Sequence, residues 1–545
     1  MKKVGMIMAL IAVIGAVIWW SIGPDWRRLL SNPPSGNDVL FWEHDQRDAG
    51  FRMLDRVPFI VQARDIDVGL NVRELEKGPP IELEFDIDAY FADQNHAALI
   101  ILHDGKIRHE QYGLDFDETG RWTSFSVAKS ITSSLVGAAI LDGHIQSLED
   151  QVSDYIPGLK GSAYEQVSIH QLLTMTSGVR WIEDYGDPNS DVAVFTQHVA
   201  ENGGSNLVSY MGSLPRAHEP GSVWNYSTGE TNLIGILVSD ATGKPLADYL
   251  AEKIWTPFGM EQNATWLLNE DGSEISGCCI QAAPRDFARY GQFILEGGRA
   301  GGTQVLPEGW IETATTSHVG ETYKDLEGYG YQWWTNSDGS FEASGIFGQG
   351  IYIDPARQLV IATNGNWRSA VDGEQSSQRQ TFYRAVSAAI DREISTDEMG
   401  DSGVEASEHM GFPEIRDGDT VVIGGTEYRF DGIDSPESGA KCDSLDVYEN
   451  ASEVLTNIIA ANPIECVPTG KKNRGRLIAT CFAIGNGGAK TNLSERMVEL
   501  GWARDWPRFS NGRFAGLEAD ARENGVGIWG LNCPSDLWRN RNYEP

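Results

Sequence analysis

The sequence predicts a multidomain chain with three parts: an N-terminal transmembrane helix, an α/β domain with an antiparallel sheet and a helical part, and a small β-barrel with helices. Three observations predict it. The chain has 545 residues, too many for one ordinary domain. An unbroken apolar run stands near its start. A Ser-, Gly-, Asp- and Glu-rich stretch at 395–411, with little apolar periodicity, divides two differently patterned regions. The expected boundaries are 1–23 for the anchor, 24–84 for a tether and lead-in, 85–395 for the first domain, 396–411 for the linker and 412–535 for the second domain.

The apolar run extends from Val4 to Ile22, behind Lys2 and Lys3, with Trp19 and Trp20 near its end. Its length of about 19 residues suits a membrane-spanning helix. Paired tryptophans suit the membrane–water interface. No small-x-small cleavage site follows Trp20, so the segment reads as an uncleaved signal anchor. The domains would then lie in the periplasm, tethered to the inner membrane. A cleaved signal would also export them.

Prolines at Pro24, Pro33, Pro34, Pro79 and Pro80 mark the lead-in. Regular patterning begins at Ala97–Leu102, a strand. Asp104-Gly105 is a hairpin turn, and Ile107–Tyr112 is the partner strand. A helical pattern opens at Ser126 and runs to Leu141, where Asp142-Gly143 ends it. Tyr329–Thr335, Gly345–Ile353 and Leu359–Asn364 read as strands of one antiparallel sheet, and Thr381–Ile394 as a helix packed on it. Beyond the linker, Thr420–Ile423 and Glu427–Phe430 flank Gly424-Gly425 as a hairpin. Ser452–Ile459 and Leu517–Arg522 look helical.

The net charge is −35 and the sequence pI about 4.6. Such a chain is soluble and a poor generic nucleic-acid binder. Most of the acidic excess lies upstream of residue 412. None of the six cysteines forms a CxxC pair, which argues against zinc. An even number in an exported region suits disulfides. Cys466–Cys481 and Cys442–Cys533 is the pairing expected, though spacing does not fix it. Adjacent Cys278 and Cys279 read as buried small hydrophobes.

Ser126-Val127-Ala128-Lys129 places a serine and a lysine one helical turn apart on one face. A serine at a helix N-terminus meets the positive end of the dipole, and a desolvated lysine can accept its proton. The pattern alone is weak: Ser438-Gly439-Ala440-Lys441 repeats it in a glycine-flanked loop. Two segments strengthen the Ser126 match. In His218–Thr228, Pro220-Gly221 sets up a loop presenting Tyr226, whose hydroxyl could relay a proton. In Ala343–Gln349, small residues let a substrate approach a strand closely, and an N–H there could join that of Ser126 in an oxyanion hole.

With these motifs, residues of about 40–395 resemble the serine β-lactamase and penicillin-binding-protein superfamily. The resemblance is to its class C-like branch of esterases and 6-aminohexanoate-dimer hydrolases. Leu172–Gly178, Glu183-Asp184-Tyr185 and Pro284–Gly291 match that branch too. The resemblance implies an α/β sandwich-like fold and an acyl-enzyme mechanism without a cofactor. Ser126 would be the nucleophile, Lys129 the general base and Tyr226 the proton relay. The N–H groups of Ser126 and Ile346 would hold the oxyanion, and Glu183, Asp184 and Tyr185 would line the substrate pocket. Two departures stand out. Tyr-x-Asn reads Tyr226-Ser227-Thr228, and Lys-Thr-Gly reads Ala343-Ser344-Gly345. The missing lysine removes a clasp for a substrate carboxylate, so small esters or linear amides are expected rather than β-lactams.

In the second domain, Asp417–Thr420, Tyr428–Glu437 and the basic run Lys471–Arg476 together resemble the thermonuclease (staphylococcal-nuclease-like) family over about 415–530. That resemblance implies an OB-like barrel and Ca²⁺-dependent cleavage of nucleic acid. Arg429 and Arg476 would clamp phosphate, Glu437 would be the general base, and Asp419, Asp434 and the Ser435 carbonyl would bind the metal. The loop aspartate and tyrosine of that family are replaced here by Lys472 and Arg474, while its arginine remains as Arg476. The alternative for the whole chain is a nuclease or binding protein with an inactive β-lactamase-like domain. Retention of Ser126, Lys129 and Tyr226 argues against it.

Overall fold

The computed structural model describes every residue except 1–12, 35–38, 57–61, 201–203, 320–327, 402–408, 461, 486–489, 535–536 and 538–545. The chain divides into two compact units, Met1–Ser387 and Ala388–Pro545.

The first unit is built on a seven-stranded antiparallel sheet. Its strands are β1 (His96–His103), β2 (Lys106–Tyr112), β3 (Gly328–Tyr329), β4 (Trp334–Thr335), β5 (Phe341–Gly345), β6 (Gln349–Asp354) and β7 (Leu359–Gly365), in the order β2-β1-β7-β6-β5-β4-β3. Asp104 and Gly105 both have positive φ, as the tight β1–β2 turn requires. Central β1 and β7 are covered on both faces, which is why they read as continuous apolar runs.

Helix α1 (Val127–Leu141) is buried all round from Val127 to Ala139, as expected of a helix without a polar stripe. Two of its small hydroxyls are satisfied by neighbouring elements: Thr132 donates to the Ser276 carbonyl and Ser130 to that of Gln332. Helices α2 (Thr228–Thr242) and α3 (Pro284–Leu295) pack on α1 and on the sheet respectively. Helix α4 (Gly373–Asp401) lines the opposite sheet face with Phe382, Tyr383 and Val386. A second sheet of four strands, in the order Gln62–Ile66, Ala264–Leu268, Ile280–Ala282, Trp122–Thr123, leads directly into Ser126. The lead-in therefore supplies a strand of the fold.

The second unit is a mixed sheet. It includes β8 (Glu414–Asp417), β9 (Thr420–Ile423), β10 (Thr426–Phe430), β11 (Ile464–Asn473) and β12 (Arg476–Ile484), with β10 and β12 parallel. Helices α5 (Val447–Ile459), α6 (Leu493–Glu499) and α7 (Ala515–Glu523) pack with it around Tyr428, Phe430, Leu455 and Met497.

Several expectations need correction. Gly345–Ile353 is not one strand: the chain reverses at Ile346–Gly348, where Phe347 takes a positive φ, and β5 and β6 form a hairpin. Tyr329–Thr335 is two short strands, broken at Gly330–Trp333, where Gln332 has positive φ. Helix α4 runs into the expected linker as far as Asp401; residues 402–408 of that linker lie outside the described residues. Cys278 and Cys279 are bonded to each other, alongside Cys442–Cys533 and Cys466–Cys481. Among the described residues no helix is long and apolar enough to cross a membrane. The described helical part of the expected span starts at Val13 and is too short by itself. Residues 1–12, which hold the rest, lie outside the described residues.

Candidate active site

The strand Trp122–Thr123 delivers the chain to Ser124, whose hydroxyl accepts from the Ile280 N–H at 3.0 Å. Phe125 then adopts φ 40°, an uncommon conformation for a bulky side chain that costs about 1–3 kcal/mol. Its ring is held between Phe51 and Phe347, at centroid distances of 5.0 and 5.5 Å. The reversal at Phe125 points Ser126 out of the helix N-terminus, where the first N–H groups have no intrahelical acceptor.

Gly345, at the end of β5, lies against this helix start. A Cβ on it would meet the Ser124 carbonyl oxygen at 2.9 Å and the Ser126 nitrogen at 3.1 Å. Only glycine permits that approach of β5 to the start of α1. Phe347, also left-handed at φ 60°, turns the chain away immediately afterwards.

Lys129 is 1% exposed. Its Nζ lies 2.9 Å from Ser126 Oγ, 2.9 Å from Thr228 Oγ1 and 2.7 Å from the Gly277 carbonyl oxygen. Burial pulls its pKa down to about 8, with Glu183 opposing the shift. A lysine of that kind deprotonates near neutral pH while touching a serine hydroxyl, which is the arrangement of an activated nucleophile. The Tyr226 ring centroid is 5.2 Å from Nζ. That ring stacks on Trp334 and meets Tyr329 edge-on, so its position is fixed by aromatic packing.

The three residues expected to line the pocket separate. Glu183 stands behind Thr228: it accepts from the Thr228 hydroxyl, from the Thr228 N–H at 3.0 Å, from the Tyr185 hydroxyl at 2.7 Å and from the Trp181 indole. Tyr185 is thereby tied to Glu183, and burial raises its pKa well above the usual phenol range. Asp184 is exposed and closes a local turn by accepting from the Gly186 N–H. Reading the sequence missed Thr228 and the Gly277 carbonyl as partners of Lys129. The threonine was visible only as a departure from asparagine. The second Ser-x-x-Lys match has an exposed Ser438 and an exposed Lys441. Near Ser344, the Arg379 guanidinium donates to the serine hydroxyl at 2.9 Å, but it is 3% exposed and faces Glu342.

In the second unit Arg429 is ion-paired with both Asp419 and Asp434. Asp419 also accepts from the Ser435 N–H at 2.7 Å. Burial lowers the pKa of Arg429, with Asp434 and Asp417 opposing. Arg476 donates to the Thr420 hydroxyl at 3.2 Å, and Glu437 is exposed. Asp417, part of the quoted motif but given no role in the sequence, faces both arginines; burial raises its pKa. A hard cation needs several free oxygens. Here Asp419 and Asp434 each give one oxygen to Arg429, and among the described residues no group of three or more His, Cys, Asp or Glu is placed to hold a metal. Asp419, Asp434 and the Ser435 carbonyl are the groups that would hold Ca²⁺, and Arg429 stands between the two carboxylates.

Comparison with known proteins agrees with this geometry. The β-lactamase family model matches residues 87–381, and the staphylococcal nuclease homologue model matches residues 427–530. The chain is 28% identical over 309 residues to 6-aminohexanoate-dimer hydrolase of Paenarthrobacter ureafaciens, covering 54% of this chain and 78% of that protein. It is 27% identical over 152 residues to succinoglycan biosynthesis protein ExoI of Rhizobium meliloti, covering 27% of this chain and 75% of that protein. A solved structure from Bacillus anthracis, assigned by name to the 6-aminohexanoate-dimer hydrolases, superposes with a TM-score of 0.56 at 23% identity, covering 65% of this chain and 98% of that one. The chain belongs to the β-lactamase family, as a serine-hydrolase-like domain fused to a C-terminal staphylococcal nuclease homologue domain.

Proposed function

We propose that the first domain hydrolyses small esters or linear amides through an acyl-enzyme on Ser126. The observation that carries this reading is the buried Lys129 amine, 2.9 Å from Ser126 Oγ. Neutral Lys129 takes the serine proton as Oγ attacks the substrate carbonyl. The N–H groups of Ser126 and Ile346 receive the oxyanion. The proton passes to the departing amine or alcohol, with the Tyr226 hydroxyl as relay, and water then releases the acyl group. Amide substrates are favoured by the likeness to an enzyme named for hydrolysing 6-aminohexanoate dimer. β-Lactams are disfavoured because Ala343 stands where a cation would clasp their carboxylate. Rapid nitrocefin turnover beside slow ester turnover would overturn that preference.

Intact-mass analysis after fluorophosphonate treatment tests the nucleophile. A single adduct on the parent and none on Ser126→Ala is expected. No adduct on a folded parent favours the inactive-domain reading.

For the second domain the reading is phosphodiester cleavage, with Arg429 and Arg476 on phosphate and Glu437 as base. No metal step is assigned. Unchanged DNA cleavage by Glu437→Gln would remove that assignment. We further place the chain at a membrane, with both domains outside the cytoplasm. The apolar run Val4–Ile22, the exposed Val13, Val17 and Trp20 side chains and the disulfides support this. Fractionation of the full chain with membranes, resistant to carbonate, is the expected result.

A further inference from the structure

The hydrogen inventory around Lys129 identifies a group that acts on the base without touching substrate. A neutral lysine amine has two hydrogens and one lone pair. Only the lone pair can take the Ser126 proton, so both hydrogens must point elsewhere. The Gly277 carbonyl can only accept, and it takes one. It is fixed in turn: the Asn232 side chain accepts from the Gly277 N–H at 3.0 Å and donates to the Thr228 carbonyl at 3.1 Å. A Cβ at Gly277 would collide with Thr228 at 2.9 Å.

Thr228 Oγ1 is the other neighbour, and a hydroxyl is ambiguous. With its hydrogen turned to Nζ it would compete with Ser126 for the lone pair. Glu183 removes the ambiguity. An ionised carboxylate has no hydrogen to give, so the Thr228 hydroxyl must donate to it and accept from Lys129. Glu183 is itself held at the N-terminus of α2 by the otherwise unpaired Thr228 N–H, with Tyr185 and Trp181 on its remaining lone pairs.

We propose that Glu183 is a positioning residue of the hydrolase: through Thr228 it orients the Lys129 amine so that its lone pair faces Ser126. This rests on the Ser126 reading above. When Oγ adds to the substrate carbonyl, the Ser126 O–H bond breaks, an Nζ–H bond forms and the carbonyl π electrons move onto its oxygen; the tetrahedral intermediate then collapses to the acyl-enzyme by breaking its bond to the amine or alcohol, which leaves with the proton from Nζ. The ammonium formed on addition lies one hydroxyl away from the Glu183 carboxylate, which offsets its charge. Tyr226, whose ring faces Nζ, and Tyr185 are the other titratable groups packed there, and burial raises the Tyr185 pKa well above the usual phenol range.

The test uses the full-length chain and follows the rate of Ser126 phosphonylation by intact mass from pH 5 to 10, so no substrate need be known. Glu183→Gln should slow labelling about tenfold or more. It should also move the acid limb to lower pH, because a negative charge beside Lys129 is lost. Thr228→Val should slow labelling as much, and the double variant no further. Thr228→Ser should restore most of the rate, which a general packing defect would not allow. Parent-like labelling and an unmoved limb in Glu183→Gln, or multiplying effects in the double variant, would overturn the proposal while Ser126 remains the nucleophile. Equal labelling of the parent and Ser126→Ala would overturn both readings.

Discussion

Gly345→Ala is the sharpest probe of the site, because it adds one methyl group at a point where two backbone segments meet. Gly345 has φ −126°, which any residue adopts, so the requirement for glycine is one of space alone. The new Cβ would lie 2.9 Å from the Ser124 carbonyl oxygen, 3.1 Å from the Ser126 nitrogen and 3.2 Å from the Gln349 Cβ. Ordinary contacts begin near 3.4 Å, and two of these neighbours are backbone atoms that cannot rotate away. The strand must retreat from the helix start by a few tenths of an ångström. Oxyanion donors act over roughly 2.7–3.1 Å, and losing one typically costs 10²–10³ in kcat, or about 3–4 kcal/mol. The expected result is a fall in kcat of about 10² with a smaller change in KM. Overpacking should also lower stability by about 1–3 kcal/mol. Esterase kinetics paired with thermal unfolding would measure both. A folded Gly345→Ala protein with parental kcat would show that the Gly345–Ser126 approach does not form an oxyanion hole.

Three further outcomes follow from particular side chains. Lys129 must be neutral to act and its pKa lies near 8, so kcat/KM should rise with pH through about 8 and level off above it; a profile flat from pH 6 to 10 would exclude it as the base. Glu230 is 2% exposed and burial pushes its pKa up to about 8 from 4.5, so it is protonated in the folded chain and ionised in the unfolded one at neutral pH. Its contribution to stability is complete below about pH 4.5 and is lost as pH rises toward 8, by about 3 kcal/mol at pH 7; Glu230→Gln should flatten that decline in pH-dependent unfolding, and an unchanged slope would refute the assignment. Cys442–Cys533 joins residues 91 apart, a loop whose closure is worth about 4–5 kcal/mol; Cys442→Ser with Cys533→Ser should lower the unfolding midpoint of the second unit, and an unchanged midpoint would count against the bond.

The parts of the site legible in the sequence were the local ones. Ser126 and Lys129 are three residues apart, so the helix period alone joins them. Tyr226 was marked by the Pro220-Gly221 turn before it. Thr228 and Gly277 reach Lys129 across 99 and 148 residues, and no local pattern encodes such a meeting. Glu183-Asp184-Tyr185 shows the converse. Consecutive residues on an irregular loop point in different directions, so Glu183 is shared with Thr228 while Asp184 faces solvent. Long strands and α1 were readable because burial on all sides leaves continuous apolar runs. The β5–β6 hairpin was not, because the positive φ of Phe347 is forced by tertiary packing on a residue type that does not favour it. In the second unit the arginines and aspartates were found as types. Their mutual pairing depends on side-chain rotamers that sequence does not carry.

The altered motif and the Glu183 arrangement bear on one electrostatic problem. Ala343 removes a cation from the strand side, and Arg379 does not replace it because Glu342 shares its buried pocket. Glu183 is the charge that acts on Lys129. A second fixed cation beside Nζ would lower the Lys129 pKa further and oppose the ammonium that forms on acylation. Without it, the one carboxylate suffices to offset the new charge, and Thr228 between them keeps the proton on nitrogen, ready for the leaving group. The same economy leaves a substrate carboxylate without a partner. Neutral acyl groups should therefore be turned over faster than anionic ones of equal size, and replacing Ala343 with lysine should narrow that preference while lowering the pH of the acid limb.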